Sequence, residues 1–287
     1  MSDCNGVDTP LTNTPSENDF DGDPFTETWQ YNSIIGMLMY LTANTRPDIA
    51  YAIHQAARLS HAPRHSHAIA VCRILVRYLQ KTKTMGLLLK PTNTQRVDCY
   101  HVDADFAGLF AVENNQDPIS VKSRTGYVVL YKESPLLRVS KMQTQIALST
   151  MEAKYVALSQ AMRNLIPIRE ILKEFMPVVF EIQPSIAYHA YSKSFTDVAE
   201  GTVPYHAIDQ SILYEDNHDC LKFARMAQLS PLTKQTHWHS ISLVSHEYCQ
   251  PSYPYQPIDT KHQLADQFTK GLCTIKFQAA RLLLMGW

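Results

Sequence analysis

Val97-Asp98-Cys99-Tyr100-His101-Val102-Asp103-Ala104-Asp105 is the stretch on which the fold turns. Before it, between Trp29 and Thr82, apolar residues recur every three or four positions, the spacing of helices. From Val97 onward they alternate, the two-residue period of a half-buried strand. Two more strand-like runs follow, Gly126–Tyr131 and Leu136–Met142, separated by Glu-Ser-Pro turn residues. A long helix from about Met151 to Phe175 comes next. Ser149 or Thr150 caps it, and Thr150 with Glu152 gives only a partial capping box. Ser211–Tyr214 reads as a fourth strand, followed by a helix from Asn217 to about Ala227. Residues 236–248 read as helical, and Ser252–Ile258 as a last short strand before a helical stretch that carries Asp266. Three strands in a meander, then alternating helices and strands, predict a mixed α/β sheet.

Upstream, 29–92 reads as one small helical unit. Its helices run over Trp29–Thr42, from Pro47 to about Ser60, and over His65–Thr82, with Pro47 suited to a first turn. In the third helix Ile69, Cys72, Leu75 and Leu79 form the expected buried stripe. Arg73, Arg77 and Lys81 share another face, read as solvated rather than phosphate-binding. The Met37–Met39 run reads as core. Residues 1–28 are polar, with too few apolar groups to bury, and are expected to be a disordered arm.

The 287 residues suit roughly two domains. Lys plus Arg is 26 and Asp plus Glu is 27, so no basic excess points to strong independent nucleic-acid binding. The six cysteines (Cys4, Cys72, Cys99, Cys220, Cys249 and Cys273) are scattered without a CxxC pair. They read as reduced thiols of an intracellular protein, cytoplasmic or nuclear and not secreted. The polar, acidic N-terminus does not suit a secretory signal. No apolar run approaches the roughly 20 residues of a membrane span.

Three carboxylate segments carry the chemistry: Val102-Asp103-Ala104-Asp105, Tyr214-Glu215-Asp216-Asn217 and Gln263-Leu264-Ala265-Asp266. Acidic residues brought together from strand ends and a helix make a divalent-metal site, and two ions about 4 Å apart can clamp a phosphodiester. Each segment alone is weak evidence. An isolated Asp-x-Asp is most often a turn or cap, Asp216 could be an N-cap, and Asp266 alone would be a solvated helix residue. His237, His239 and His246 lack a partner motif such as HExxH and are set aside as a zinc site.

The ordered set is more specific. Tyr31–Asp48 resembles the segment that follows the polymerase palm in Copia-type retrotransposon polyproteins. Asp103-Ala-Asp-Phe-Ala-Gly108, Ser123–Tyr127, Ala147–Glu152, Tyr214–Asn217 and Gln263–Gly271 resemble the family's ribonuclease H domain, in the family's order. The resemblance covers about residues 25–287. It implies a ribonuclease H-like five-stranded mixed sheet with helices on both faces over 97–272, after the helical connection unit of a reverse transcriptase at 29–92, with 273–287 as a C-terminal tail. It implies cleavage of the RNA strand of RNA–DNA hybrids with Mg²⁺ or Mn²⁺. It also implies a longer polyprotein with upstream reverse-transcriptase palm and fingers. The metal ligands carried over are Asp103, Asp216 and Asp266.

The family's fourth ligand is the second glutamate of Glu-Ala-Glu-Tyr on the first helix. Here the chain reads Glu152-Ala153-Lys154-Tyr155, so an ammonium stands at a carboxylate position. That removes a ligand and adds a like charge beside the metals. Glu152 cannot substitute, because two residues along a helix is a rotation of about 200°. The resemblance therefore predicts a degenerate, catalytically impaired domain, the alternative being an active metal-dependent ribonuclease H. Two further stretches depart from the family, Leu137-Arg138 and Thr233–His246. The polymerase Tyr-x-Asp-Asp motif is absent, so DNA synthesis by this chain is not expected.

With Asp103 at the end of its strand, Asp105 is expected to turn away or sit at the rim. Lys154 is expected to point into the carboxylates and bridge Asp103 or Asp216.

Overall fold

The computed structural model describes residues 5–11, 19–90, 98–110, 118–182, 211–225 and 255–287. The 236–248 helix, the three histidines within it and the altered 233–246 stretch lie outside these residues.

Five strands form one sheet: β1 (Asp98–Asp105), β2 (Arg124–Tyr131), β3 (Ser134–Met142), β4 (Ser211–Glu215) and β5 (Tyr255–Pro257). Their order is β3-β2-β1-β4-β5. β1 pairs antiparallel with β2 and parallel with β4, so Asp103 lies opposite Gly126 while His101 lies opposite Tyr214. β4 and β5 are parallel. This is the mixed sheet with flanking helices of a ribonuclease H-like fold.

β1 runs two residues beyond the expected end, because Ala104 and Asp105 still pair with Thr125 and Arg124. Asp103 and Asp105 therefore share a face by alternation, and Asp105 has not turned away.

Helix α4 (Thr150–Ile182) packs over β1 and β2. Ala153, Ala157, Leu158, Ala161, Met162 and Leu165 bury against Val102, Val129 and Leu213. Small residues on this helix face let it approach the sheet closely. The start of α4 is well capped. Ser149 Oγ accepts from the Glu152 N–H at 3.1 Å, and Glu152 Oε2 accepts from the Leu148 N–H at 2.7 Å. Glu152 thus serves the cap, while Lys154, two residues on, faces the sheet. Helix α5 (His218–Arg225) follows β4.

The opposite face of the sheet is covered by α6 (Asp266–Thr269) and the end of α7 (Thr274–Met285), with Phe268, Leu284 and Met285 against Val128 and Leu130. Gly126 on β2 is what admits α6. A Cβ there would stand 2.6 Å from Thr269 Cγ2, 2.9 Å from Phe268 Cβ and 3.0 Å from the Ala265 carbonyl oxygen. Gly126→Ala is expected to destabilise the fold by about 1–3 kcal/mol through overpacking. A urea-unfolding midpoint equal to that of the parent would contradict this.

The helical unit comprises α1 (Tyr31–Asn44), a 3-10 turn (Pro47–Ile49), α2 (Ala50–Arg58), and α3 (His65–Cys72) continued by a π-helical segment (Arg73–Leu79). Its core holds Tyr31, Ile35, Leu38, Ile49, Ile53, Val71, Ile74 and Tyr78. The third helix buries Ala68, Val71, Ile74 and Tyr78, while Ile69 and Cys72 are exposed, so the expected stripe was one face off. A three-to-four spacing fits either of two adjacent stripes when alanine and tyrosine are core residues. Only Leu38 of the Met37–Met39 run is core; both methionines are exposed.

Two segments expected to hang free are docked. In the polar arm, Phe25 and Trp29 pack on the helical core, Lys81 bridges Asp8 at 2.7 Å, and Arg77 donates to the Asn5 carbonyl. Residues 273–287 are not a tail. Phe277 and Ala280 of α7 complete the helical core, and Gly286, with φ of 84°, ends the helix in the left-handed region.

Candidate functional site

The site begins with the C-terminal ends of β1 and β4, neighbouring parallel strands that deliver Asp103 and Glu215-Asp216 to one edge. Asp103 is buried on the sheet face toward α4. Glu215, the last residue of β4, is also fully buried, and Asp216 just beyond it is half-buried. Lys154, on the first turns of α4, reaches down between them. Its Nζ donates to Asp103 Oδ1 at 2.6 Å, to Glu215 Oε1 at 3.1 Å, and to Asp216 Oδ1. An oxygen from each of the three carboxylates lies within 4.8 Å of the others. The expected inward turn of Lys154 is what the geometry shows, with contacts to both Asp103 and Asp216.

The remaining lone pairs are used too. Thr269 Oγ1 donates to Asp103 Oδ2 at 2.6 Å, and Thr260 Oγ1 donates to Asp216 Oδ2 at 2.9 Å. Glu215 Oε1 also accepts from the backbone N–H groups of Asp216 and Asn217. The cap of α5 is Asn217, whose Oδ1 accepts from the Cys220 N–H at 2.8 Å, which leaves Asp216 free for Lys154.

Asp266 is fully buried at the start of α6 but lies outside this group of three. Lys270 stands 2.8 Å from its Oδ1 and Lys276 2.6 Å from its Oδ2. Lys270 also stands 3.7 Å from Asp103 Oδ2, and so links the two aspartates through an ammonium. Gln263 sets the approach of α6, donating from Nε2 to the Val102 carbonyl of β1 at 2.9 Å while its Oε1 meets His101 Nδ1. Asp105 sits half-buried at the rim of a cleft of about 420 Å³ that Asp103, Lys154, Asp216 and Lys270 also line.

Glu215 is the site residue that sequence reasoning missed. Its signal was adjacency to Asp216, but which of two neighbouring carboxylates is buried depends on where β4 ends.

Burial opposes charge on every carboxylate here. At Asp103 the nearby charges of Lys154 and Lys270, with hydrogen bonds from Lys154 and Thr269, outweigh burial and hold the carboxyl down to about 2. Asp216 is also held low, burial being outweighed by its hydrogen bond and attraction to Lys154. At Glu215 burial wins, helped by the charge of Asp103 against that of Lys154, and the carboxyl is pushed up to about 8. Distance alone would draw a third ion pair at Glu215. The charge balance favours two, because one ammonium cannot neutralise three buried carboxylates.

Glu215 therefore keeps, in the folded chain, a proton that the unfolded chain releases above its ordinary value of 4.5. Its contribution to stability is full below 4.5 and is lost as pH rises through about 8. Unfolding free energy is expected to fall across this window with a slope approaching about 1.4 kcal/mol per pH unit, and Glu215→Gln should flatten it. Urea denaturation across the window checks both; an equal slope in the variant would assign it to another group.

No protein-family profile matches the chain, and no solved structure is significantly similar to it. The curated relatives are informative. The chain is 34% identical over 168 residues, 58% of its length, to the retrovirus-related Pol polyprotein from transposon RE1 of Arabidopsis thaliana. It is 33% identical over 177 residues, 62% of its length, to that from transposon TNT 1-94 of Nicotiana tabacum. The chain belongs with the Pol polyproteins of Copia-type retrotransposons. It spans 11% and 12% of the length of these two relatives. A third relative, secreted RxLR effector protein 161 of Plasmopara viticola, is 36% identical over 136 residues, 47% of the chain and 89% of that protein.

Proposed function

We propose that this fragment of a Copia-type Pol polyprotein carries a ribonuclease H-like domain that has lost hybrid cleavage and keeps, at most, weak binding of RNA–DNA hybrids. One observation carries the reading: the ammonium of Lys154 sits within hydrogen-bond distance of Asp103, Glu215 and Asp216. The family resemblance asks for Mg²⁺ or Mn²⁺ between Asp103, Asp216 and Asp266. The residues as they stand do not fit such an ion. Lys154 fills the space between two of these carboxylates, and Lys270 and Lys276 neutralise the third. A divalent ion would have to displace a tethered cation that is already desolvated and paired.

In a polyprotein the helical unit would join this domain to upstream palm and fingers, which would then supply hybrid affinity that a chain of net charge −1 lacks.

The test is cleavage of a labelled RNA–DNA hybrid in Mg²⁺ and in Mn²⁺. The parent chain is expected to give background only. Lys154→Glu is expected to bind Mg²⁺ more tightly by calorimetry and to recover cleavage in part. Robust cleavage by the parent, lost on Asp103→Asn, would restore the reading of an active nuclease.

A further inference from the structure

We propose that the cation-holding set in this chain is Asp103, Glu215 and Asp216, with Glu215 in the place that the family resemblance gives to Asp266. The inference rests on the ribonuclease H-like reading of the site but concerns its ligand set rather than its activity.

Three observations meet on it. First, oxygens of these three side chains lie within 4.8 Å of one another, around the single ammonium of Lys154. Second, Glu215 is fully buried in this cage. Its Oε1 takes Lys154 and two backbone N–H groups, whereas its Oε2 has no hydrogen-bond partner among the described residues. A buried carboxylate oxygen without a donor is costly and marks unused capacity to hold a cation. Third, Asp266 is committed elsewhere. Both its oxygens face lysines, and Lys270 stands between it and Asp103.

The chemistry of the donors fits. Lys154 behaves as a tethered monovalent cation held by three hard oxygens. Without its side chain the cage offers three carboxylates at cation-sized separation, the donor class that Mn²⁺ and Mg²⁺ prefer. Glu215 can ionise fully once a dipositive charge replaces one ammonium. Asp266 would still be neutralised by Lys270 and Lys276.

The experiment uses the full chain and Mn²⁺ alone, followed by electron paramagnetic resonance and calorimetry. The parent is expected to show no site, and Lys154→Ala a single one. Adding Glu215→Gln to Lys154→Ala should weaken Mn²⁺ binding roughly tenfold or more, the scale on which lost site residues act. Adding Asp266→Asn instead should leave it nearly unchanged. The reverse order, with Asp266→Asn costly and Glu215→Gln silent, overturns the proposal, as does a folded Lys154→Ala chain that binds no Mn²⁺. If Lys154→Ala does not fold without metal, Mn²⁺-induced recovery of far-ultraviolet circular dichroism replaces the binding signal. The same ranking of the double variants is then expected, and failure to fold at millimolar Mn²⁺ counts against the cage. Hybrid cleavage by the parent would sink the impaired-nuclease reading while leaving this ranking to be decided by Mn²⁺.

Discussion

Lys154→Met is expected to cost the domain about 3–5 kcal/mol near neutral pH, the scale of breaking a buried charge network by removing one partner. Methionine keeps most of the stem, so contacts between α4 and the sheet survive and the loss reports on charge. Without the ammonium, Asp103 and Asp216 face each other across a cage that also holds Glu215, with only Lys270 near Asp103. Protonation relieves such crowding. The sign follows: in the parent, attraction to Lys154 holds Asp103 and Asp216 low, and that contribution is fully present near neutral pH. In the variant it is gone, so the difference between the two proteins should be widest near neutral pH and shrink as the medium becomes acidic. Urea denaturation of both proteins at neutral and mildly acidic pH measures it. An equal gap at both would make the loss one of packing, and the charge account would fail.

The internal cation also explains how an acidic site persists in a chain with a foreign residue at its centre. A neutral residue at 154 would leave the carboxylates unbalanced, and a carboxylate would add another. Lysine alone among the common choices is long enough to reach from α4 to the ends of β1 and β4 while carrying the needed charge. The substitution is thus compatible with the fold while being incompatible with the divalent ion that the resemblance implies.

Much of this was legible in the sequence. Asp103 and Asp216 were readable because alternation ends beside them. Lys154 was readable because its offset from Tyr155 and Leu158 fixed its place on the helix. Asp266 was found, but its surroundings were not. Lys270 is one helical turn away in sequence, whereas Lys276 arrives only because α7 folds back, and that segment read as a tail. Glu215 was hidden because its burial depends on β4 continuing to pair with β5 at Pro257, a contact between strands separated by some forty residues. The docked arm was hidden for a related reason. Its polar composition argued for disorder, yet a few apolar anchors such as Phe25 and Trp29, with backbone contacts to Arg64, hold the described part in place.

The second large effect is expected far from the acidic site, at Asp48. Arg46, Asp48 and Tyr78 are all buried in the helical unit. Arg46 forks onto Asp48, with Nε 2.9 Å from Oδ1 and Nη2 2.8 Å from Oδ2. Tyr78 donates to Asp48 Oδ2 at 2.6 Å, and Arg281 of α7 donates in turn to the Tyr78 hydroxyl. The guanidinium of Arg46 and that of Arg281 both lie over the Trp287 ring. Asp48→Ala would leave Arg46 buried with a lone carboxylate partner removed and only the Thr82 oxygens as acceptors. Its expected cost is about 3–5 kcal/mol. Asp48→Asn preserves shape and one acceptor, and should cost clearly less. The network ties the 3-10 turn and the third helix to the end of α7, so the same variant should loosen Trp287, whose indole N–H donates to the Gly86 carbonyl. Urea unfolding gives the energy, and limited proteolysis reports on the C-terminal helix. A loss below about 1 kcal/mol, the size of an exposed ion pair, would mean that the fork contributes no more than a surface contact.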